Sequence, residues 1–170
     1  ELKNEYGIDG IKLDCGDAQY LPKEYTKGNE LNKLAVEAFN LANNDSILEV
    51  RSCFQYAGTN CVQRLADKAH QWGVIKVVDE NLPDNGYLKY GFSTLIPNIL
   101  LQGLIGYYYS CPDMVGGGLA TDFENDKTID SELLIRWCQC SALLPMIQFS
   151  YPYWMSKDSN VVNCFNKCLR

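Results

Sequence analysis

The chain has 170 residues, of which 46% are hydrophobic and 21% are charged, a composition typical of a globular rather than a disordered protein. Its formal net charge of -6, without a cluster of Lys and Arg, argues against nucleic acid as the main partner. The apolar runs are too short and too interrupted to predict a membrane-spanning segment. The length is that of one ordinary domain with a sizeable core.

The hydrophobic pattern predicts strands that alternate with helices. In chain order we expect a buried strand over 8–13, a helix over 30–42, strands over 47–54 and 61–66, a helix over 92–104, a tyrosine-rich strand over 106–111, a helix with Ser131 as its N-cap, a strand over 146–149 and a helix that begins at Asp158. The polar stretch after Trp72 carries turn signals at Pro83 and Asn85-Gly86. Pro97 requires either an early-turn position or a kink in its helix.

Alternating strands and helices are typical of parallel βα units, so we expect an α/β fold. One connection conflicts with this prediction. About seven residues separate the second strand from the third, fewer than a parallel crossover normally needs. Either that connection contains a minimal turn of helix, or one of the two strands is wrong.

Eight cysteines are many for this length, but their spacings are not those of a zinc site. Cys138 and Cys140 form a CxC pair, Cys164 and Cys168 lie one helical turn apart, and His70 is the only histidine. We therefore expect no metal site and no cofactor. We expect His70 to be a solvated loop residue. Unpaired buried thiols and one or two disulfides are both compatible with the sequence. The glycosylation sequon at 44–46 favours the secretory pathway.

Acidic residues follow three of the predicted strands. Asp14 closes the first strand, Asp67 follows the third and Asp113 follows the tyrosine-rich one, while Arg51 lies near the end of the second. Catalytic groups of a (β/α)8 barrel lie at these strand ends, and two carboxylates across a cleft suit glycoside hydrolysis. An acid at a strand end is also a common cap, and Arg51 could form a structural ion pair with Glu49 or another acid. The pattern alone leaves both interpretations open.

Four segments resemble glycoside hydrolase family 31. "RSCFQYAGTNCVQRLADKAHQW" resembles the segment that runs from Arg-Ser to the acid/base Asp and a Trp, and "GIDGIKLDCGD" resembles the nucleophile strand. "GLIGYYYSCPDMVGG" resembles a later strand that ends in an Asp and a glycine loop, and "SELLIRWCQCSALLPMIQFS" the helix and last strand that follow. The matches occur in the family's order and cover nearly the whole chain. Within the family, "KLDCGDAQYLP" and "LPMIQFSYPYW" favour the myogenesis-regulating glycosidase group.

The resemblance implies a retaining α-glycosidase on a (β/α)8 TIM barrel. Residues 1–170 would be the C-terminal part of that barrel, about strands four to eight, and would need the missing N-terminal half as a partner. Asp14 would be the nucleophile and Asp67 the general acid/base that act on a carbohydrate substrate. Arg51 would contact this substrate, and Asp113 would bind sugar hydroxyls. Trp72 is a candidate sugar-stacking platform, although core or rim packing suits it equally.

Two departures from the family pattern bear on specificity. Gln148-Phe149-Ser150 stands where α-glucosidases of the family have Arg-Asn-His, and Arg64-Leu65-Ala66 replaces the usual Trp-x-Gly before the acid/base. The myogenesis-regulating group departs at the same places and is linked to α-galactoside cleavage, so the resemblance favours an α-galactosidase-like enzyme. A catalytically inactive sugar-binding or regulatory relative and an incomplete, inactive gene product are the alternatives. We also expect the isolated chain to be poorly soluble and inactive, because its first strand would have an unpaired edge.

Overall fold

The computed structural model describes residues 2–14, 24, 28–42, 47–51, 57–59, 61–82, 84–118, 120–123 and 129–170. Its helices are α1 (Leu2–Tyr6), α2 (Gly28–Ala42), α3 (Leu95–Leu104), α4 (Ser131–Ser141) and α5 (Ser159–Cys168). Its strands are β1 (Gly10–Leu13), β2 (Ile47–Val50), β3 (Cys61–Arg64), β4 (Val74–Val78), β5 (Gly86–Tyr90), β6 (Ser110–Cys111), β7 (Met114–Val115) and β8 (Gln148–Phe149). Within the described residues, no helix has the length and apolarity that crossing a membrane requires.

The chain divides into two compact units, which we describe separately. The first contains Glu1–Leu65 and Leu101–Ser110, and the second contains Ala66–Leu100 and Cys111–Arg170.

Strands β1, β2, β3 and β6 form one sheet in that order. β1 runs parallel to β2, with Gly10 opposite Ile47, and β2 runs parallel to β3, with Leu48 opposite Cys61. Both strands around the short connection are therefore present and parallel, which confirms the predicted pair. Residues 52–56 and 60 of that connection lie outside the described part, as does the predicted extension of the second strand to residue 54.

The two faces of this sheet differ in character because successive side chains of a strand point to opposite sides. One face carries a core built from Val36 of α2 with Leu48, Val50 and Cys61, against which Leu13 packs. The period-2 alternation places charged residues of β1, β2 and β3 on the other face. The sequence thus produces a strand set with one apolar and one ionic face.

The second unit is built on helices α4 and α5. Its core contains Trp137, which is 0% exposed, together with Leu134, Val161 and Phe165. Strand β7 pairs with β8 in parallel, with Val115 opposite Phe149.

Helix boundaries confirm most of the predicted signals and correct one. Asp130, not Ser131, is the N-cap of α4, and its side chain accepts a hydrogen bond from the backbone N–H of Leu133. Asp158 caps α5 as predicted, by accepting from the N–H of Asn160. Pro97 is the third residue of α3, where its missing N–H costs no helical hydrogen bond.

A β-hairpin occupies the stretch in which the sequence indicated only turns. β4 and β5 pair antiparallel, with Val74 opposite Tyr90 and Val78 opposite Gly86. Asn85 (φ 51°) and Gly86 (φ 140°) both adopt positive φ, so the predicted turn signal at this dipeptide is confirmed. The fold is mixed α/β with a parallel sheet, and the partial (β/α)8 barrel stays a prediction.

Candidate active site

Charged side chains of the first unit form a network along the ionic face of the sheet. Lys12 Nζ lies 3.1 Å from Asp14 Oδ2 and 3.9 Å from Glu49 Oε1. Arg51 Nε lies 2.7 Å from Asp14 Oδ1, and Arg64 Nη1 lies 3.8 Å from Glu49 Oε1. Three cations and two carboxylates therefore alternate across β1, β2 and β3.

Asp14 follows the last residue of β1, at the carboxyl end of the parallel sheet. Its side chain is exposed, and one cation contacts each of its two oxygens. Opposite charges this close stabilise the ionised carboxylate. The alternative that Arg51 forms an ion pair is correct, and its partner is Asp14, so two predicted site residues are in contact. Asp17 lies outside the described residues.

Buried polar groups position Arg51 from the opposite side. Gln63 is 8% exposed, and its Nε2 donates to the backbone oxygen of Arg51 at 2.7 Å. The next residue, Arg64, is 2% exposed and pairs with Glu49, which is 7% exposed. Arg64 is therefore a buried cation in an ion pair.

In the second unit, Asp67 lies on a segment fixed by backbone hydrogen bonds. The N–H of Lys68 donates to Asp113 Oδ2 at 2.8 Å, and the carbonyl of Lys68 accepts from the N–H of Gly118 at 2.9 Å. The N–H of Ala69 donates to the carbonyl of Tyr90 at 2.8 Å. Asp67 itself is exposed, so its carboxylate faces solvent from a preorganised segment.

Asp113 differs from the other acids because it is 0% exposed. It also has φ 77°, a backbone conformation that residues other than glycine rarely adopt and that costs about 1–3 kcal/mol. Its described contact is with the backbone of Lys68, next to Asp67. The sugar-binding role stays a prediction, and the contact shows Asp113 orienting the Asp67 segment.

Gly118 lies directly beside both carboxylates of the second unit. A Cβ atom placed on Gly118 would lie 3.0 Å from Asp113 Oδ1 and 3.0 Å from Asp67 Oδ1. The separation of these two oxygens is therefore at most the sum of the two distances. Ser150 supports the preceding residue by donating from Oγ to the carbonyl of Gly117 at 2.6 Å. Gly116 (φ 93°) and Gly117 (φ 103°) both adopt positive φ, which glycine tolerates better than other residues.

The prediction that His70 is a solvated loop residue is wrong, because both ring nitrogens have partners within the second unit. Nδ1 lies 2.9 Å from the carbonyl oxygen of Gly116, and Nε2 accepts from the N–H of Asp130 at 2.9 Å. Because Nε2 accepts, Nδ1 is the ring nitrogen that donates to the carbonyl of Gly116. The N–H of His70 donates to Asp122 Oδ2 at 2.7 Å. Sequence reasoning missed this role because the contacts span 46–60 residues and leave no local spacing signal.

Trp72 is 44% exposed and contacts Asp130 as well. Its indole Nε1 donates to Asp130 Oδ2 at 2.8 Å, and its ring meets Phe92 edge to face with centroids 5.8 Å apart. The N–H of Leu133, which donates to the same carboxylate, lowers the pKa of Asp130 below its usual value. The exposed surface of Trp72 is compatible with sugar stacking, and its fixed orientation comes from Asp130.

The chain is similar to the myogenesis-regulating glycosidase of Mus musculus. The two are 28% identical over 180 aligned residues, which cover 98% of this chain and 22% of the mouse protein. A second similarity is to the SITS-binding protein of Tetronarce californica, with 38% identity over 79 residues, 46% of this chain and 11% of that protein. No protein-family model matches the chain.

These similarities support a relationship to glycosidases for nearly the whole chain. The chain spans about a fifth of the length of the mouse relative and about a tenth of the other. Membership of glycoside hydrolase family 31, the retaining mechanism and the roles of the individual residues stay predictions.

Proposed function

We propose that the chain carries the catalytic carboxylates of a retaining α-glycosidase, within part of a (β/α)8 barrel. The observation that carries the proposal is the position of Asp14, which lies exposed at the carboxyl end of a parallel strand between Arg51 and Lys12. An ionised carboxylate in this place is what a glycosidase nucleophile requires. The similarity of nearly the whole chain to part of a glycosidase supports the same class of function.

The proposed reaction has two displacements. In the first, an oxygen of Asp14 forms a bond to the anomeric carbon, the bond to the leaving oxygen breaks, and Asp67 gives that oxygen a proton. In the second, Asp67 takes a proton from water, which attacks the anomeric carbon and releases Asp14 as a carboxylate. This mechanism requires the two carboxyl groups to lie about 5–5.5 Å apart.

The surroundings of each carboxylate suit these separate roles. Arg51 and Lys12 stabilise the negative charge that Asp14 carries before and after the reaction. Asp113 fixes the backbone next to Asp67, so the acid is preorganised. For the sugar, we propose an α-galactoside, because Arg64 and Ser150 replace residues of the α-glucosidase pattern and both make structural contacts here.

The role of Asp67 is tested by leaving-group dependence in the natural polypeptide that contains this chain. We expect Asp67→Asn to lower kcat/KM on alkyl α-galactosides by about 10²- to 10⁴-fold. For aryl substrates, whose acidic leaving groups need less protonation, kcat/KM should fall much less. Added azide should restore turnover in Asp67→Asn, with a glycosyl azide as the product. Glu132→Gln, which removes an exposed carboxylate paired with Arg136, is the matched control and should leave both substrates unaffected.

A sugar-binding protein without turnover is the second candidate. The 2.7 Å contact between Arg51 and Asp14 favours it, because an acid held by an arginine is a common structural ion pair. Saturable binding of galactosides with no hydrolysis by the wild-type polypeptide would select this candidate. Uniform loss on all substrates in Asp67→Asn, without azide rescue, would reject Asp67 as the acid/base.

A further inference from the structure

Three cysteine thiols meet between the last two helices of the second unit. Cys138 lies on α4, and Cys164 and Cys168 lie on α5, with all three sulfur atoms within 4.8 Å of one another. Residues four apart lie on the same helix face, so α5 presents two thiols to the single thiol of α4. Cys138 is 0% exposed, and the two thiols of α5 are half-buried.

We propose that Cys138, Cys164 and Cys168 bind a zinc-type divalent metal ion as three thiolates, with water as the fourth ligand. Thiolate sulfur is a preferred ligand of Zn²⁺. Bonds of about 2.3 Å to a tetrahedral ion place sulfur atoms about 3.8 Å apart. The thiols therefore need to approach one another by about 1 Å or less, which side-chain rotation supplies.

The number of thiols favours a metal ion over a disulfide. One ion uses all three sulfurs, whereas one disulfide uses two of them and leaves the third unpaired. A disulfide also needs its two sulfurs about 2.05 Å apart, a closer approach than the separation of about 3.8 Å around a tetrahedral ion.

A groove gives the cluster access to solvent. It has a volume of about 310 Å³ and is lined by Ile135, Gln139, Asn163 and Lys167, together with Cys164 and Cys168. Water in this groove can reach the fourth position of the ion. Three thiolates around a divalent ion leave one net negative charge, which the ammonium group of Lys167 opposes. A monovalent ion would leave two, so the charge favours a divalent ion.

Metal binding by this cluster consumes no oxidant. Burial raises the pKa of the Cys138 thiol, and burial together with the neighbouring Cys168 raises the pKa of Cys164. Each thiol that binds the ion loses its proton to solvent, and its electron pair forms the bond to the metal.

The test is a titration of the full chain with Co²⁺ under argon after reduction of its thiols. We expect thiolate-to-cobalt charge-transfer absorption and the intense d–d bands of four-coordinate Co²⁺, both abolished when Zn²⁺ displaces the cobalt. Cys164→Ser and Cys168→Ser should each weaken Co²⁺ affinity at least tenfold, and both change half-buried residues. Cys140→Ser alters a cysteine of α4 outside the cluster and should leave the affinity unchanged.

Circular dichroism establishes that each variant retains its helices before the titration. Absence of the cobalt bands in the wild-type chain would overturn the proposal, as would bands that persist in both α5 variants. Preference for Cu⁺ with no binding of Co²⁺ or Zn²⁺ would reject the zinc-type ion. A Cys138 disulfide to either α5 cysteine, found in the protein as isolated, would show that the cluster is a cross-link instead.

Discussion

At the residue scale, the acids that follow the strands differ in what surrounds them. Asp14 is exposed between two cations, Asp67 is exposed on a fixed segment, and Asp113 is fully buried with positive φ. Their positions near strand ends could be predicted from the sequence, because an acid that follows an apolar run is a local feature. The contact of Asp14 with Arg51 spans 37 residues and depends on β1 pairing with β2, so no local pattern could predict it.

Substitution of Gly118 by alanine, which adds one methyl group, tests whether the position of the Asp67 carboxylate matters for activity. A Cβ atom there would be 3.0 Å from the carboxyl carbon of Asp67, so Gly118→Ala displaces this carboxylate by a few tenths of an ångström. We expect about a tenfold loss of kcat/KM, because small misplacements of catalytic groups are costly. The free energy of unfolding should change by less than about 1 kcal/mol, since the backbone there needs no positive φ.

Gly103→Ala is the control for this change. Gly103 lies inside α3 with no atom within 4 Å of the position of its Cβ, so alanine should leave activity unchanged and stabilise the chain by about 0.5–1 kcal/mol. Equal kinetics for wild type and Gly118→Ala would contradict the placement of Asp67 in the reaction.

The lowered pKa of Asp130 predicts how the free energy of unfolding depends on pH. The N–H of Leu133 lowers the pKa of its carboxyl group in the folded state, so the unfolded chain binds more protons in the acid range. The stabilisation is complete above the unfolded pKa of about 3.9 and is lost as pH falls through the folded value. Asp130→Asn keeps an acceptor at the cap but does not titrate.

Urea unfolding of wild type and Asp130→Asn at pH 6 and pH 3 measures this effect. The free-energy difference between the two proteins should be smaller at pH 3, and an unchanged difference would contradict the assignment. Glu132→Gln removes a neighbouring charge from the first turn of α4 and controls for the helix dipole.

At the element scale, the order of the first strands and helices was predictable, whereas the cap of α4 and the β4–β5 hairpin were not. Helix α2 and strands β1 to β3 follow the predicted order because apolar periodicity reports directly on their buried faces. The N-cap of α4 was misplaced by one residue, because Ser131 and Asp130 are both good caps and only the structure shows which side chain accepts the Leu133 N–H.

The β4–β5 hairpin was missed for a different reason. Its strands expose Val74, Val78 and Tyr87 at 46%, 71% and 47%, so burial did not impose a regular alternation on the sequence. The polar connection between the strands resembled a loop, and the local signals in it, Pro83 and Asn85-Gly86, indicated turns rather than strands.

Gly86 tests the hairpin directly. At φ 140° a Cβ atom would collide with the backbone oxygen of Val77 across the strand pair. Gly86→Ala should destabilise the second unit by roughly 1–3 kcal/mol and remove amide exchange protection from β4. Gly73→Ala, where no atom lies within 4 Å, should leave protection unchanged, and equal behaviour of the two variants would contradict the described turn.

At the scale of the whole molecule, the proposed catalytic groups are divided between the two units. Asp14 and Arg51 belong to the first, and Asp67, Asp113 and Trp72 belong to the second. A retaining mechanism needs one carboxylate as nucleophile and another as acid/base, so the proposal assigns one of these roles to each unit.

Mechanism-based trapping of the glycosyl-enzyme tests directly whether Asp14 is the nucleophile. The natural polypeptide that contains this chain would be incubated with fluorinated α-galactosides and α-glucosides that form stable glycosyl-enzymes, then digested with trypsin. We expect one glycosyl unit on peptide 13–23, assigned by fragmentation to Asp14 rather than Asp17, and no adduct in Asp14→Asn. Labelling at Asp67, or no adduct with either sugar configuration, would contradict this assignment.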